Sequence, residues 1–185
     1  MRIIGGASRG MRLSPVGEGD AAAHLRPTSD RVRESIFNLL INGGYGNPLR
    51  DARVLDVFAG TGALGLEALS RGAETAVFIE NGATSTTILK RNIALMRAET
   101  RCEILRRDGL KPGLNPGQPF DVVFLDPPYG KGMGEVALAA LRGWLAKEAL
   151  VIWEENAPPQ PPDGFETLDQ RKYGDTHVTI LRAVE

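Results

Sequence analysis

A short polar motif, Asp126-Pro127-Pro128-Tyr129, directly follows the apolar run Asp-Val-Val-Phe-Leu at residues 121–125. The apolar run predicts a buried strand, so the motif lies where that strand ends. A carboxylate and a backbone carbonyl can accept hydrogen bonds from an exocyclic amine, and a tyrosine face can stack on a base. Proline fixes φ and has no N–H, so the two prolines hold a carbonyl in a set direction. Two prolines alone would indicate only a loop, but the whole motif predicts a site for a flat ring that carries an amine.

A second motif lies upstream, where residues 54–65 read Val-Leu-Asp-Val-Phe-Ala-Gly-Thr-Gly-Ala-Leu-Gly. Residues 54–58 predict a strand and residues 63–71 a helix, and the turn between them has the spacing G-x-G-x-x-G. Glycines permit a close approach of the backbone to a ligand. Glu80 follows the next predicted strand, residues 75–79, where an acidic side chain can accept hydrogen bonds from ribose hydroxyls. The pattern therefore predicts a nucleotide-like cofactor at the turn.

Two details argue against a nicotinamide cofactor. Asp56 lies within the first strand, four residues before Gly60, and the later strands lead to Asp-Pro-Pro-Tyr instead of a second mononucleotide-binding half. Together the two motifs resemble those of the S-adenosylmethionine-dependent methyltransferases. The resemblance implies S-adenosylmethionine as the cofactor. It assigns cofactor contacts to the positions that match, which are Asp56, Phe58, Ala59, Gly60, Thr61, Gly62, Glu80, Asn81, Asp108, Gly109 and Asp126.

The resemblance also implies what each contact does. Asp56 and the turn at 58–62 would surround the methionine part of the cofactor, and Glu80, with Asn81 beside it, would accept from both ribose hydroxyls. Asp108, after the predicted strand 102–107, would accept from the adenine amino group, and Gly109 would let the backbone come close. Independently of any family, four acidic residues fall near the carboxyl ends of four predicted strands, where open α/β sheets bind ligands.

Further segments narrow the resemblance. Residues 2–13, residues 25–38 with Arg-Pro-Thr at 26–28, and residues 172–176 (Lys-Tyr-Gly-Asp-Thr) look like those of the RsmD family, the bacterial 16S ribosomal RNA guanine-N2 methyltransferases. The match covers nearly the whole chain. It implies methyl transfer to the exocyclic N2 of a guanine, with catalytic roles for Asp126, Pro127, Pro128 and Tyr129. Thr28 would lie near the methionine end of the cofactor.

The N-terminal segment carries a local positive charge. Residues 1–33 contain six arginines and three acidic residues, although the whole chain has a formal net charge of −1. Arginine suits bidentate contacts with phosphates and stacking on bases. His24 and His177 match no metal-ligand spacing, so we predict no metal site. The predicted partner is 16S ribosomal RNA, within a 30S subunit or an assembly intermediate, and the predicted contacts are Arg2, Arg9, Arg12, Arg26, Arg31 and Arg33.

Strands that alternate with helices predict a parallel sheet covered on both faces. The resemblance implies a Rossmann-like α/β fold with seven strands, mostly parallel, and an antiparallel C-terminal strand. We expect a single domain over residues 1–185, with a hairpin and loop at 1–25, a helix at 26–44 and the core at 50–185. No apolar run approaches the ~20 residues that cross a bilayer. The single cysteine, Cys102, fits a reducing compartment, so we expect a cytoplasmic monomer.

Several alternatives remain open. Asp-Pro-Pro-Tyr also suits methylation of adenine N6 in DNA, or of an amine in another RNA, because that amine poses the same chemical problem. A methyltransferase acting on a small molecule or a protein fits the arginine-rich segment less well. From a different functional class, the chain could be a ribosome assembly factor that binds the cofactor without turnover.

Overall fold

One sheet organises the molecule in the computed structural model, which describes residues 1–15 and 28–184. Within these residues the sheet has seven strands in the order β3-β2-β1-β4-β5-β7-β6. Strands β1 to β5 pair in parallel, whereas β7 is antiparallel to both β5 and β6. The strands are β1 (Arg53–Val57), β2 (Thr75–Ile79), β3 (Cys102–Leu105), β4 (Phe120–Leu125), β5 (Leu145–Glu155), β6 (Phe165–Tyr173) and β7 (Thr176–Ala183).

Helices cover both faces of this sheet. Side chains alternate across a strand, so Phe124 of β4 joins one core while Val123 and Leu125 join the other. Helices α1, α2 and α3 pack on the Phe124 face, and α4 packs on the opposite face together with the 3-10 turn that contains Trp144. The described helices are α1 (Asp30–Asn42), α2 (Ala63–Ser70), α3 (Ala83–Leu95) and α4 (Met133–Ala140), and short 3-10 turns span Glu99–Arg101 and Arg142–Trp144.

This arrangement confirms the predicted Rossmann-like class of fold, and the differences lie at element ends. Strand β1 ends one residue before the predicted end because Phe58 takes a left-handed conformation, with φ of 58°. Strand β3 ends at Leu105, two residues early. The apolar run at residues 149–153 predicts a strand, and β5 is longer than this run because its pairing with β4 continues across an irregularity, beside which Glu148 has φ of 63°.

Helix α1 lies within the predicted range 26–44 and spans Asp30–Asn42, with hydrogen bonds that cap both ends. Ser29 Oγ accepts a hydrogen bond from the Val32 N–H at 3.2 Å, which satisfies one of the free donors of the first turn. At the other end the Gly43 N–H donates to the Leu39 carbonyl at 2.8 Å. None of the helices in the described part of the chain combines the length and the hydropathy needed to span a bilayer.

The N-terminal arm, residues 1–15, forms the predicted hairpin in a minimal version. Arg2 and Arg12 form one antiparallel bridge, and the Ile3 N–H donates to the Met11 carbonyl at 2.9 Å. Ile3 and Leu13 are buried in the core, so the arm is part of the packed structure. The loop predicted at residues 16–23 lies outside the described residues.

Candidate functional site

The carboxyl ends of four neighbouring strands define the candidate site. The strand register aligns the last residues of β1, β2 and β4, and that of β2 with β3. The glycine turn, Glu80 and Asp126 immediately follow the first three of these strands, and Asp108 lies three residues beyond β3. The structure therefore brings the predicted cofactor motif and the Asp-Pro-Pro-Tyr motif to one edge of the sheet.

Glu80 supports the glycine turn directly. Its Oε1 accepts from the Gly60 N–H at 2.9 Å, and its Oε2 accepts from the Gly82 N–H at 2.8 Å. The side chain is partly exposed, and each carboxylate oxygen has a second lone pair. Glu80 can therefore hold the turn and accept hydrogen bonds from a ligand at the same time. Asn81 follows it and is exposed.

Asp56 has a different place from the one that the resemblance implies. Its side chain is buried, and Oδ2 accepts from the Gly65 N–H at 2.9 Å, in the first turn of α2. Burial raises the pKa of Asp56 well above its usual range; the Gly65 bond opposes that rise, whereas Glu154 and Glu80 reinforce it. Asp56 thus supports the strand–turn–helix junction from inside the protein. Its burial leaves little surface for contact with the methionine part of a cofactor.

Phe58 and Gly109 form a close contact at the edge of the site. A Cβ atom on Gly109 would lie 2.8 Å from two carbons of the Phe58 ring, so a glycine is needed for this approach. Asp108 is exposed, and its Oδ1 accepts from the Leu110 N–H at 2.9 Å. That bond fixes the turn after β3 and leaves the second carboxylate oxygen of Asp108 available to a ligand.

The Asp-Pro-Pro-Tyr loop is held from beneath by Glu155, the last residue of β5. Glu155 is buried, and its Oε1 accepts from the Gly130 N–H at 2.9 Å and from the Asn156 N–H at 3.1 Å. Partial burial raises the pKa of Tyr129 above its usual range, and a hydrogen bond with Thr176 lowers it. The phenol is therefore neutral, and its ring is only half-buried at the edge of the site.

Asp126 lies beside a second carboxyl group, that of Glu154. The Thr28 hydroxyl donates to Glu154 Oε2 at 2.9 Å and lies 3.4 Å from Asp126 Oδ2. Glu154 is 1% exposed, and Asp126 turns its carboxyl group inward although the residue as a whole is partly exposed. Burial raises the pKa of both carboxyl groups, and the charge of Glu154 raises that of Asp126 further. Thr28 is thus placed against the Asp-Pro-Pro-Tyr loop.

Three polar side chains attach the N-terminal arm to the elements around the glycine turn. Glu67 of α2 accepts from the Ile4 and Gly5 N–H groups at 2.8 and 3.0 Å. Ser70 Oγ accepts from the Ser8 N–H at 2.9 Å. Asn92 of α3 accepts from the Ser14 N–H at 2.6 Å and donates to the Thr61 carbonyl at 2.9 Å. The arm and the glycine turn therefore share partners.

Of the six predicted RNA-contacting arginines, four are exposed, one is buried and one lies outside the described residues. Arg2, Arg9, Arg12 and Arg31 are exposed, and Arg26 lies outside the described residues. Arg33 is fully buried, which corrects its assignment: Nε contacts Glu67 Oε1 at 3.3 Å, and Nη2 contacts Asp30 Oδ1 at 2.8 Å and the Arg2 carbonyl. A guanidinium enclosed in this way connects α1, α2 and the arm, and does not reach RNA.

Two residues of the site were missed by sequence reasoning, Glu154 and Glu155. The predicted strand stopped at Trp153, so this acidic pair was not considered. The signal that could have found them is the one that singled out Glu80 and Asp126, an acidic residue directly after a buried apolar strand. Within the described residues, no group of three or more His, Cys, Asp and Glu side chains is arranged to hold a metal ion.

Comparisons with known proteins give the family. The family model described as conserved hypothetical protein 95 matches residues 1–182. Ribosomal RNA small subunit methyltransferase D of Escherichia coli strain K12 is 41% identical over 167 residues, 88% of this chain and 79% of that protein. The protein of the same name from Haemophilus influenzae is 37% identical over 94% of this chain and 89% of its own length. A solved Escherichia coli structure, described as methyltransferase yhhF, superposes with a TM-score of 0.82 at 35% identity, covering 100% of this chain and 98% of that one. This chain therefore belongs to the conserved hypothetical protein 95 family, the RsmD family of methyltransferases.

Proposed function

We propose that this protein transfers a methyl group from S-adenosylmethionine to the exocyclic N2 of a guanine in small-subunit ribosomal RNA. The observation that carries the proposal is the meeting of two motifs at adjoining strand ends, the glycine turn after β1 and Asp-Pro-Pro-Tyr after β4. The relatives named ribosomal RNA small subunit methyltransferase D support the substrate. A ribosomal substrate also favours a cytoplasmic location.

The donor set at the strand ends fits S-adenosylmethionine. Glu80 offers carboxylate oxygens that are fixed by two backbone N–H groups and suit a pair of ribose hydroxyls. Asp108 offers an exposed carboxylate that suits an adenine amino group, and Phe58 offers a ring for contact with the base. The cofactor supplies an electrophilic methyl group on a positively charged sulfur.

The acceptor side of the site is built for an amine on a flat ring. The N2 lone pair of guanine is delocalised into the ring, so the nitrogen is a poor nucleophile. Hydrogen bonds from its two N–H groups to Asp126 and the Pro127 carbonyl favour a pyramidal nitrogen with a free lone pair. Tyr129 stacks on the base, and its bond with Thr176 fixes the ring direction. As the N–C bond forms, the bond between the methyl carbon and sulfur breaks and S-adenosylhomocysteine would leave; the nitrogen is then cationic and loses its proton to Asp126 or to water. Alignment and electrostatics provide most of the acceleration.

The N-terminal arm supplies the RNA contacts next to this pocket. Arg2, Arg9 and Arg12 are exposed, and the backbone that carries them is bonded to α2 and α3. Phosphate contacts made by these arginines position the RNA without reading its sequence. A base in a helix has to be splayed out to reach Asp126, whereas a base in a loop is already accessible. We therefore propose a loop or helix-end guanine, in free RNA or in an assembling 30S particle, as the target.

Transfer of labelled methyl groups tests the function and separates the alternatives. The protein is incubated with S-adenosylmethionine carrying tritium in its methyl group and with 30S subunits, free 16S RNA or double-stranded DNA. All acceptors come from cells that lack the corresponding methyltransferase. Digestion to nucleosides is expected to give N2-methylguanosine from 30S subunits or 16S RNA. Label in N6-methyladenine would favour the alternative amine, and cofactor binding without label in any acceptor would favour an assembly factor.

A further inference from the structure

The carboxyl groups of Asp126 and Glu154 form a pair that the methyl-transfer scheme does not yet use. Leu125 pairs with Trp153 in the parallel register of β4 and β5, so the residues that follow them lie side by side. Thr28 reaches both carboxyl groups, at 2.9 Å from Glu154 and 3.4 Å from Asp126. Three polar groups from three parts of the chain therefore meet in one cluster, in which Glu154 is buried and Thr28 and Asp126 are partly exposed.

One hydroxyl hydrogen cannot serve two carboxylates. The shorter distance assigns the Thr28 hydrogen to Glu154 Oε2, and Glu154 Oε1 has no hydrogen-bond donor among the described residues. A buried carboxylate without partners is costly, and two adjacent carboxylates repel each other. A single additional proton on Asp126, donated to Glu154, removes the repulsion and gives Glu154 a second donor.

The surrounding charges agree with one shared proton. From β1, Asp56 disfavours ionisation of Asp126, because the two carboxyl groups repel each other whenever both are charged. From α1, Arg33 favours an ionised Glu154, although its guanidinium is already paired with Glu67 and Asp30. The Tyr129 phenol, in the Asp-Pro-Pro-Tyr loop, is neutral and adds no charge near the pair. Among the described residues, Arg33 is the one cation named as acting on the pair, and it favours the ionised form of Glu154. Asp126 has the acidic neighbours, so the proton remains on Asp126.

We propose that Glu154 is a positioning residue that holds Asp126 as a neutral acid, so that Asp126 presents a carbonyl-type oxygen to the substrate amine. This inference rests on the proposed function, in which Asp126 accepts from that amine. A neutral acceptor is sufficient there, because the amine loses its proton only after the N–C bond has formed, and that proton then passes to water since Asp126 is already protonated. A protonated Asp126 resembles an asparagine side chain: both have one oxygen acceptor and one donor that can point at Glu154.

Carbon-13 NMR of the aspartate carboxyl groups tests the inference directly in the full chain. In the wild-type protein, the resonances of two aspartates, Asp126 and the buried Asp56, are expected to remain those of protonated carboxyls at about pH 7, above the ordinary range of the residue. The variant Asp126→Asn assigns the Asp126 resonance by removing it and leaves that of Asp56. In Glu154→Gln the pair loses one carboxylate, and the Asp126 resonance is expected to titrate at clearly lower pH. An Asp126 carboxyl that is ionised at about pH 7 in the wild type, or a titration that Glu154→Gln leaves in place, overturns the proposal.

Glu155→Gln is the matched control, since Glu155 is the neighbouring buried glutamate but bonds to the backbone N–H groups of Gly130 and Asn156 instead of Thr28. It is expected to leave the Asp126 titration at its wild-type position. If Glu154→Gln does not fold, the comparison of the wild type with Asp126→Asn still decides whether Asp126 carries a proton.

Methyl-transfer rates separate this inference from the proposed function. If a neutral acceptor is what matters, Asp126→Asn is expected to exceed Asp126→Ala by about tenfold or more, which corresponds to one retained hydrogen bond. Equal loss of activity in the two variants indicates that an ionised Asp126 is required and overturns the inference while leaving the function in place. A wild-type rate in Asp126→Ala removes the role of Asp126 in the transfer, whereas the proposed function fails only if the wild type methylates neither 30S subunits nor 16S RNA. In either case the NMR titration remains a valid test of the pair.

Discussion

At the scale of single residues, Glu80 has two roles that the sequence could only half predict. Its place after β2 predicts a contact with ribose, and the structure adds its bonds to Gly60 and Gly82. The bonds to Gly60 and Gly82 could not be predicted, because they depend on how the folded chain places the turn after β1 beside the end of β2. A side chain that fixes a turn with the same oxygens it offers to a ligand pre-organises the site before the ligand arrives.

Replacement of Glu80 by alanine is expected to weaken binding of S-adenosylmethionine strongly. The substitution removes the proposed ribose acceptor and frees the Gly60 and Gly82 N–H groups. Hydrogen bonds to charged groups contribute about 1.5–3 kcal/mol each, so the dissociation constant should rise on the order of 10- to 100-fold. Calorimetry measures the change. Glu74→Ala, an exposed glutamate immediately before β2, is the control. An unchanged dissociation constant for Glu80→Ala would contradict the ribose assignment.

Replacement of Asp126 by alanine is expected to affect the chemistry and to spare the cofactor. Its carboxyl group faces Thr28 and Glu154 and is placed for the amine, so the rate of methyl transfer should fall on the order of 100-fold or more. Affinity for S-adenosylmethionine should change little. Single-turnover transfer and calorimetry on the same preparation separate the two effects. Asp121→Ala, which changes an exposed aspartate near the opposite end of the same strand, is the control. A large loss of cofactor affinity with a normal transfer rate would reverse the assignment.

At the scale of elements, the N-terminal arm shows where sequence reasoning stops. The hairpin, helix α1 and the strand–turn–helix unit could be predicted because turn residues, caps and apolar periodicity are local signals. The anchors Glu67, Ser70 and Asn92 could not, because their helices read as ordinary packed helices and their partners are 60 or more residues away. Arg33 was assigned to RNA for the same reason: its charge is visible in the sequence, and its buried partner Glu67 is not.

Replacement of Gly6 by alanine is expected to separate the arm from α2. Gly6 has φ of +81°, and a Cβ atom there would lie 1.8 Å from the Ser70 carbonyl oxygen. Gly10 is a matched control, since its φ is +84° and a Cβ atom there would meet nothing within 4 Å. Both alanines cost about 1 kcal/mol for the left-handed backbone, but only Gly6→Ala must also move the arm.

Urea unfolding and RNA binding measure this difference between the two glycines. Gly6→Ala is expected to lose at least about 1 kcal/mol more free energy of unfolding than Gly10→Ala, in the manner of an overpacked site. It should also bind 16S RNA more weakly, because the arm that carries Arg2, Arg9 and Arg12 is displaced. Equal stability and equal RNA affinity of the two variants would show that the arm is not held at Ser70.

At the scale of the whole molecule, the sheet gathers negative charge at one edge and the arm places positive charge beside it. Strand order explains the gathering, because β3, β2, β1, β4 and β5 are neighbours and each has an acidic residue within three positions of its carboxyl end. The sequence could predict this convergence from alternating strands and helices. It could not predict that Asp56 and Glu154 are fully enclosed, since enclosure depends on side chains that meet only in the folded chain.

The buried carboxyl group of Asp56 predicts how the free energy of unfolding changes with pH. Burial raises the pKa of Asp56 in the folded protein, whereas the unfolded chain has a value of about 3.9. Below the unfolded pKa the group is protonated in both states and costs nothing. As the pH rises from the unfolded pKa towards the folded pKa, the folded state binds more protons than the unfolded state, so stability falls, and it levels off above the folded pKa. Asp56→Asn keeps an oxygen that can accept from the Gly65 N–H and cannot ionise. Its free energy of unfolding should match that of the wild type near pH 4 and exceed it increasingly towards pH 8, as measured by urea unfolding at each pH. Parallel curves for the two proteins across this range would mean that Asp56 is not held in its protonated form by burial.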